Sequence, residues 1–303
     1  MTEQRGIFDG QVVHRRDVCA DHFELTLRLP RFADAVPGQF VQVLCRAPGN
    51  GARVTPTSQS GAVDDGPMLR RPFSIGGLRR RDGGTEIDLL GRVVGPGTEW
   101  LGRRKVGDGV NVLGPLGSGF SMPPVGAVAL LVAGGVGLPP IRWMGEYLKK
   151  NGYFCVAWVG ARHRGLLPVT LRSEPDRSGK ATLCAEEFSR DEIPVCITTD
   201  DGSCGTSGRV TDALADFFSS APAGRRCVVY ACGPEAMLRA TAELCRGYDV
   251  PCELAMERVM ACGMGTCQSC VVRVRDDASE SGWRYALCCR EGPVFDGRRV
   301  FGP

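Results

Sequence analysis

In the first third of the chain, apolar and polar residues alternate over short runs. An apolar residue stands at every second position from Phe23 to Leu29, which is the period of a strand with one buried face. Residues 39–44 and 85–94 form two further runs that are rich in strand-forming residues. Because turn residues separate these runs and no helical period is visible, the pattern predicts a small antiparallel β-barrel.

Near Pro123 the pattern changes to continuous apolar runs that alternate with helical segments. Residues 128–133 are apolar throughout, as expected of a strand that is buried on both faces, and a helix is predicted from Pro139 to Lys149. The other predicted strands are 155–159, 195–199 and 227–230, and the other predicted helices are 210–218 and 235–245. This alternation predicts a parallel, nucleotide-binding α/β sheet. From about Ala255 the chain becomes rich in glycine and cysteine.

Composition limits the class of protein only broadly. The 303 residues suffice for two or three domains, and 43% hydrophobic and 23% charged residues are ordinary for a globular protein. The net charge of +3 and the short arginine clusters do not indicate a nucleic-acid partner. Since the first residues lack the apolar segment of a signal peptide and no apolar run is long enough to span a membrane, we expect a cytoplasmic location without membrane contact.

Fifteen cysteines add candidate chemistry, because some of them have the spacing of metal ligands. Cys262, Cys267 and Cys270 form the arrangement C-x4-C-x2-C, and a fourth cysteine follows at Cys288 or Cys289. This is the plant-type spacing for a two-iron, two-sulfur (2Fe-2S) cluster, whereas zinc sites typically use two C-x2-C pairs. Two glycines in the loop let the backbone turn and point N–H groups at the sulfur atoms. Spacing alone does not separate the adjacent Cys288 and Cys289.

Two short turns have the composition of dinucleotide-binding elements. Residues 133–140 read AGGVGLPP between a predicted strand and a helix, and residues 230–235 read YACGPE in the same setting. Glycines let a pyrophosphate approach the backbone, and helix N-termini attract phosphate. Each turn alone is equally typical of a simple connection. Residues 70–75 and 92–98 offer arginines, hydroxyls and glycines that suit a flavin phosphate, although a surface strand with a basic end has the same composition.

Taken in this order, the segments resemble the ferredoxin-reductase-like flavoprotein superfamily over nearly the whole chain. Residues 71–74 (RPFS) resemble its flavin signature, in a barrel that begins with a segment like residues 37–41. The segments that resemble its dinucleotide elements are residues 134–137, 199–202 and 232–234.

Within this superfamily, the C-terminal region is similar to the electron-transfer subunit of class 1B dihydroorotate dehydrogenase. The similarity lies in residues 257–270 and 289–295, and it aligns Cys289 with the fourth cluster ligand. It implies an FAD-binding β-barrel domain (1–122), an NAD(P)-binding α/β domain (123–254) and a 2Fe-2S cluster domain (255–303). The residues implied are, for FAD, Arg71, Pro72, Phe73, Ser74, Leu90, Gly91, Arg92, Gly97 and Thr98; for NAD(H), Gly134, Gly135, Gly137, Cys232, Gly233 and Pro234; and for the cluster, Cys262, Cys267, Cys270 and Cys289.

The resemblance also implies a route for electrons. A hydride passes from NADH to FAD, and single electrons then pass through the cluster to FMN on a catalytic partner subunit, where dihydroorotate and orotate interconvert. The partner and this chain are expected to form a heterotetramer that serves pyrimidine biosynthesis. No side chain of this chain needs to act as an acid or a base, so we expect no catalytic residue of that kind.

Three alternatives stay open at the level of the sequence. The chain could be a diaphorase subunit of another complex, of the sulfhydrogenase or transhydrogenase type, or a non-catalytic metal-binding module. Residues 160–164 read GARHR where many NAD sites carry an acidic residue, so NADPH is an alternative donor. Residues 47–67, rich in glycine, proline, serine and threonine, are predicted to form a long exposed loop.

Overall fold

The computed structural model describes residues 5–46, 67–220 and 226–301. The loop predicted for residues 47–67 therefore lies, apart from Pro67, outside the described residues. No helix among the described residues is long and apolar enough to cross a membrane.

The first third forms one antiparallel sheet of seven strands, in the order β4-β3-β7-β1-β2-β6-β5. Its strands are β1 (Gly6–Cys19), β2 (His22–Leu29), β3 (Phe40–Leu44), β4 (Arg71–Ser74), β5 (Leu78–Arg81), β6 (Gly84–Arg92) and β7 (Gly109–Leu116). The alternation from Phe23 to Leu29 buries every second side chain of β2 in the barrel core, as predicted. Gly76, just after edge strand β4, donates its N–H to the carbonyl of Asp88 in β6 at 2.8 Å. This contact between the two sides of the sheet helps to close the barrel.

A short helix in this region was not predicted from the sequence. Helix α1 (Pro96–Gly102) begins with a proline, which suits the first helical turn. Its seven residues make only two turns, so no apolar period can register in the sequence. The hydroxyl of Thr98 accepts hydrogen bonds from the N–H groups of Val94 and Gly95, at 2.9 and 3.2 Å, and so fixes the turn that leads into the helix.

The second sheet has the parallel α/β architecture that the apolar runs predicted. Its order is β11-β10-β9-β8-β12-β13-β16, and all pairs are parallel except β13 with β16. The strands are β8 (Val128–Gly134), β9 (Cys155–Ala161), β10 (Val195–Thr199), β11 (Thr206–Ser207), β12 (Cys227–Cys232) and β13 (Cys252–Ala255), with helices α2 (Leu138–Lys150), α3 (Glu186–Ser189), α4 (Val210–Ser220) and α5 (Glu235–Gly247).

The C-terminal segment is small and is joined to the second sheet. It contains β14 (Val271–Arg275), β15 (Trp283–Leu287), β16 (Val294–Asp296) and α6 (Gly297–Val300). Strand β16 pairs with β13, so this segment supplies the edge strand of the nucleotide sheet. One apolar cluster contains Phe40 of the barrel, Leu130 of the second sheet and Met260 of the segment. Since the sheet crosses the predicted boundary at residue 254, the division into three domains stays a prediction.

A buried ion-pair cluster connects the barrel to the second sheet. The guanidinium of Arg79 donates to both carboxylate oxygens of Asp88 at 2.6 Å, and Arg142 of α2 donates to the same carboxylate at 3.2 Å. Burial alone would raise the pKa of Asp88, but the Arg79 hydrogen bonds and the charges of Arg142 and Arg79 outweigh it and lower that pKa. Arg142 also donates to the carbonyl of Gly76 at 2.8 Å, so α2 is fixed against the end of strand β4.

Candidate functional site

The cysteine-rich loop near the C-terminus directs backbone N–H groups at sulfur. The N–H groups of Met264 and Cys267 both donate to Cys262 Sγ at 3.4 Å. Gly263 and Gly265 have φ angles of +69° and +93°, which glycine adopts without strain. This left-handed backbone turns the loop around Cys262 in the way that the sequence predicted. N–H···S bonds stabilise a charged sulfur, so the loop is suited to a thiolate ligand.

Cys270 and Cys289 form a second pair of sulfur atoms. The N–H of Cys289 donates to Cys270 Sγ at 3.4 Å. Both residues are almost fully buried, whereas Cys267 is exposed. Burial, followed by the hydrogen bond with Cys270, raises the pKa of the Cys289 thiol to about 12.

The adjacent Cys288 points away from this pair. Its Sγ donates to the carbonyl of Met256 at 3.6 Å, and its side chain lies within the apolar cluster shared with the second sheet. Burial raises the pKa of the Cys288 thiol to about 12. The Cys288 thiol thus has a backbone partner at Met256, whereas Cys289 contacts Cys270 Sγ through its N–H.

The four thiols suit a binuclear iron–sulfur core. A hydrogen bond from Ser269 lowers the pKa of Cys267 to about 6, and Cys262 contributes further. Backbone N–H groups join Cys267 to Cys262 Sγ and Cys289 to Cys270 Sγ, each at 3.4 Å, so the four cysteines lie in two pairs. A two-iron core takes its four thiolates in two pairs, so the donor set fits it.

The two predicted dinucleotide turns lie against each other at the carboxyl ends of β8 and β12. A Cβ added to Gly137 would lie 2.2 Å from the carbonyl oxygen of Cys232 and 2.6 Å from the nitrogen of Gly233. No side chain fits between these two backbones, so the close approach itself requires glycine at position 137. The sequence presented the turns as separate elements, and the parallel pairing of β8 with β12 brings them together as one cradle.

The cradle has the features of a phosphate-binding turn. The residue after Gly134, Gly135, has a φ angle of +52°, and no atom lies within 4 Å of its Cβ position. The chain then enters α2 with the positive end of its helix dipole at this turn, and because Pro139 and Pro140 carry no N–H, the N–H donors for a phosphate come from the glycine turn itself. Met237 of α5 covers the turns, with its Sδ 2.7 Å from the Cβ position of Gly134. Burial, assisted by Glu257, raises the pKa of the Cys232 thiol to about 12, so this half-buried thiol is neutral at pH 7.

Residues at the end of the neighbouring strands bear on the choice of dinucleotide. Arg164 forms a two-pronged ion pair with Glu174, at 3.0 and 3.2 Å. The N–H of Asp201 donates to the carbonyl of Arg162 at 3.3 Å, so the predicted segment 199–202 lies against this loop. Because both carboxylate oxygens of Glu174 bind the guanidinium of Arg164, the attraction of Arg164 for the 2′-phosphate of NADPH is weakened.

Strand β4, with the predicted flavin residues, lies at the edge of the barrel sheet beside β3. Arg71, Pro72 and Ser74 are half-buried, whereas Phe73 is buried and packs in the barrel core. Arg71 Cγ lies 3.1 Å from the Cβ position of Gly97, so the two predicted flavin segments are in contact. The position of Arg71 at this contact places a cation where a cofactor phosphate would need one.

Strand β6 ends at the same side of the barrel. Arg92 Nε is buried and has no hydrogen-bond partner, which marks a place for a polar or anionic ligand such as a flavin nucleotide. Leu90 packs against the apolar cluster of the second sheet. A Cβ on Gly91 would lie 2.4 Å from Cζ of Phe23. The ring of Phe23, which the sequence did not single out, therefore fills the space beside Gly91.

A second residue that the sequence analysis missed is Gln42 of β3. It is fully buried, and neither its Nε2 nor its Oε1 has a hydrogen-bond partner. The signal that could have found it is a single polar side chain inside the apolar run FVQVL.

Comparison with known proteins gives consistent matches over the whole chain. Residues 257–301 match the family model of the iron-sulfur cluster binding domain of dihydroorotate dehydrogenase B, and residues 131–243 match the oxidoreductase NAD-binding domain. The chain is 34% identical over 295 residues to the electron transfer subunit of dihydroorotate dehydrogenase B (NAD(+)) from Desulforamulus reducens, covering 97% of this chain and 98% of the relative. The corresponding subunit from Bacillus caldolyticus is 35% identical over 293 residues, covering 95% and 96%.

Solved structures are similar as well. An NADH-dependent reduced ferredoxin-NADP oxidoreductase, described in terms of flavin-based electron bifurcation, has a TM-score of 0.72 at 26% identity and covers 96% of this chain and 89% of its own. The Amycolatopsis cytochrome P450 reductase GcoB has a TM-score of 0.58 at 22% identity, covering 82% and 68%, and shows a shared fold.

Proposed function

The chain belongs to the family of electron transfer subunits of dihydroorotate dehydrogenase B, and from this premise we propose that it passes electrons between NADH and a catalytic dihydroorotate dehydrogenase subunit. Its relatives carry this name over nearly their full length. The observation that carries the proposal is that the loop of Cys262, Cys267 and Cys270 contacts barrel strand β3, through Gly263 and Gln42, next to the strand with the flavin signature. Electrons pass between a flavin and a cluster only when the two bind close together.

FAD, NAD(H) and a 2Fe-2S cluster are the cofactors of this function. When bound, FAD links the two-electron chemistry of nicotinamide to the one-electron chemistry of the cluster. The proposed cluster ligands are Cys262, Cys267, Cys270 and Cys289, with Cys289 supported by its contact with Cys270. The proposed FAD and NAD(H) residues are those of β4, the end of β6, α1 and the two turns of the cradle.

The residues of the chain bind and orient these groups. Arg71 and Arg92 supply positive charge at one side of the barrel, and the buried Arg92 Nε gains a partner when a polar ligand binds. The glycine cradle holds a dinucleotide phosphate against backbone N–H groups. The ion pairs of Arg142 with Asp88 and Glu24 fix the cradle domain against the barrel, so that the two binding regions keep one orientation.

The partner in this proposal is an FMN-containing catalytic subunit, in a heterotetramer that serves pyrimidine biosynthesis in the cytoplasm. We expect the co-expressed and purified pair to reduce NAD⁺ with dihydroorotate, whereas this chain alone oxidises NADH only with an artificial acceptor. The spectrum of the chain should contain flavin and iron–sulfur bands. A coloured chain that neither binds the catalytic subunit nor supports dihydroorotate oxidation would be a diaphorase of another complex. A colourless, zinc-containing chain would be a metal-binding module.

The donor in this proposal is NADH, and the Glu174–Arg164 ion pair offers a test of that choice. In wild-type protein we expect a higher kcat/KM for NADH than for NADPH. Glu174→Gln should raise kcat/KM for NADPH by a few-fold, since an exposed ion pair contributes roughly 0.2–1 kcal/mol and its loss frees Arg164 for a 2′-phosphate.

The matched control is Glu146→Gln, which breaks the exposed Glu146–Lys150 ion pair on α2. It should leave the ratio of the two kcat/KM values unchanged. Steady-state oxidation of NADH and of NADPH, with the same electron acceptor, measures the two kcat/KM values for each variant. A wild-type preference for NADPH would contradict the proposed donor.

A further inference from the structure

Gln42 is a buried amide without a partner in the middle of strand β3. Its neighbours Val41 and Val43 pack in the barrel core, whereas Phe40 packs in the cluster that includes Cys270 and Cys289. Side chains alternate along a strand, so Gln42 shares the face of Phe40 and points out of the barrel toward the cysteine segment. A fully buried amide with neither atom hydrogen-bonded is rare in folded proteins, because desolvation is not compensated.

The amide of Gln42 lies on the cluster loop. The Cβ position of Gly263 is 2.7 Å from Gln42 Cγ and 2.9 Å from Nε2, and Oε1 is not among the three nearest atoms. The donor end of the amide therefore faces the residue that follows Cys262. Gly263 has room for no side chain here, so the loop and the amide are in direct contact.

The same residue also contacts the strand with the flavin signature. Gln42 is the register partner of Pro72 on β4 and of Leu113 on β7. Its carbonyl accepts a hydrogen bond from Arg70 Nη1 at 3.2 Å, and Arg70 also donates to the carbonyl of Asn111 at 3.3 Å. Its backbone is thus held by two strands and an arginine, and its fully buried side chain is packed against the loop.

We propose that Gln42 is a positioning residue for the iron–sulfur cluster: its amide N–H, which has no partner among the described residues, donates to the sulfur of the bound cluster beside Cys262. This inference rests on the proposed cluster ligands. Reduction by one electron adds one negative charge to the cluster without making or breaking a bond, and a fixed N–H donor stabilises that added charge. Hydrogen bonds to sulfur are one of the factors that set the potential of such clusters. Gln42 therefore favours the reduced state and makes the cluster a better acceptor for electrons from the flavin side.

The test is Gln42→Met, which keeps the length and approximate volume of the side chain but removes the N–H donor. In the complex with its catalytic subunit, we expect roughly a tenfold lower ratio of reduced to oxidised cluster at a fixed potential, equivalent to about 59 mV for one electron. Redox potentiometry monitored by EPR measures the cluster, and visible absorption measures the flavins in the same sample. The flavin potentials should not change.

The matched control is Gln39→Met, three residues away. The Gln39 amide already has partners, since it donates to the carbonyl of Gly117 at 2.8 Å and accepts from the N–H of Val36 at 3.0 Å. This variant should leave the cluster potential at the wild-type value. Equal potentials in Gln42→Met and wild type, with equal iron content, would overturn the proposal and leave Gln42 as a packing residue.

A second measurement covers the case in which Gln42→Met does not assemble its cluster. Wild-type protein labelled with ¹⁵N at glutamine side-chain amides should give a ¹⁵N coupling to the reduced cluster in pulsed EPR. The exposed Gln268 of the loop is the other glutamine to exclude, so the coupling must persist in labelled Gln268→Met. Its disappearance there would overturn the proposal. Absence of any cluster signal in wild-type protein would instead contradict the proposed function itself.

Discussion

Cys289→Ala is expected to abolish the iron–sulfur cluster, whereas Cys288→Ala keeps it. The N–H of Cys289 donates to Cys270 Sγ, and Cys289 is one of the four proposed ligands, so its loss should leave the cluster with three. Cys288 instead donates its Sγ to the carbonyl of Met256. Iron content and the EPR signal of the reduced cluster should fall to roughly a tenth or less in Cys289→Ala, since a metal site depends on its complete ligand set.

Cys288→Ala is the matched control, because it removes the same atom from the adjacent residue. The small cavity that it leaves should lower the free energy of unfolding by about 1 kcal/mol, with iron content unchanged. FAD content should be unchanged in both variants, which shows that the barrel is folded. A cluster that survives in Cys289→Ala and disappears in Cys288→Ala would reverse the assignment of the fourth ligand.

Gly137→Ala is expected to lower the rate of flavin reduction by NADH by about 100-fold, the effect of displacing a reacting group by about 1 Å. The added Cβ would meet the carbonyl oxygen of Cys232 at 2.2 Å. Neither backbone can yield without separating the turns at the ends of β8 and β12, and the dinucleotide phosphate loses its cradle. Stopped-flow absorbance at the flavin band measures the rate, and reduction by dithionite should remain normal.

Gly135→Ala tests whether this effect is steric. The Cβ position of Gly135 has no atom within 4 Å, but its φ angle is +52°. An alanine there costs only the strain of a left-handed backbone, about 1–2 kcal/mol, which corresponds to about 5- to 30-fold, so we expect a smaller decrease in the rate than for Gly137→Ala. Equal rates for Gly137→Ala and Gly135→Ala would mean that contact between the two turns does not position the dinucleotide.

The fold class could be predicted because its signals are local. Alternation from Phe23 to Leu29 and the apolar run at residues 128–133 each report how many faces of a strand are buried, and this does not depend on distant residues. The structure confirms both sheets and their kinds of pairing. Helix α1 was missed, since two turns are too short to produce a period. The edge strand β16 was missed as well, because its partner β13 is far away along the chain.

The features of the candidate site likewise fall into two groups: those that local sequence predicts and those that depend on the folded chain. Cluster ligands close together in the chain must be spaced to fit one small inorganic core, so the sequence by itself determined the C-x4-C-x2-C loop and the glycines beside it. It also determined the two glycine turns, since strand-to-helix connections are local. The spacing left Cys288 and Cys289 equivalent, and only the folded chain shows that the N–H of Cys289 contacts Cys270 Sγ while the thiol of Cys288 contacts Met256, because these contacts depend on what packs around the turn. Two further contacts could not be predicted from the sequence: that of Gln42 with Gly263 and that of Arg164 with Glu174. Each joins residues that come together only in the folded chain.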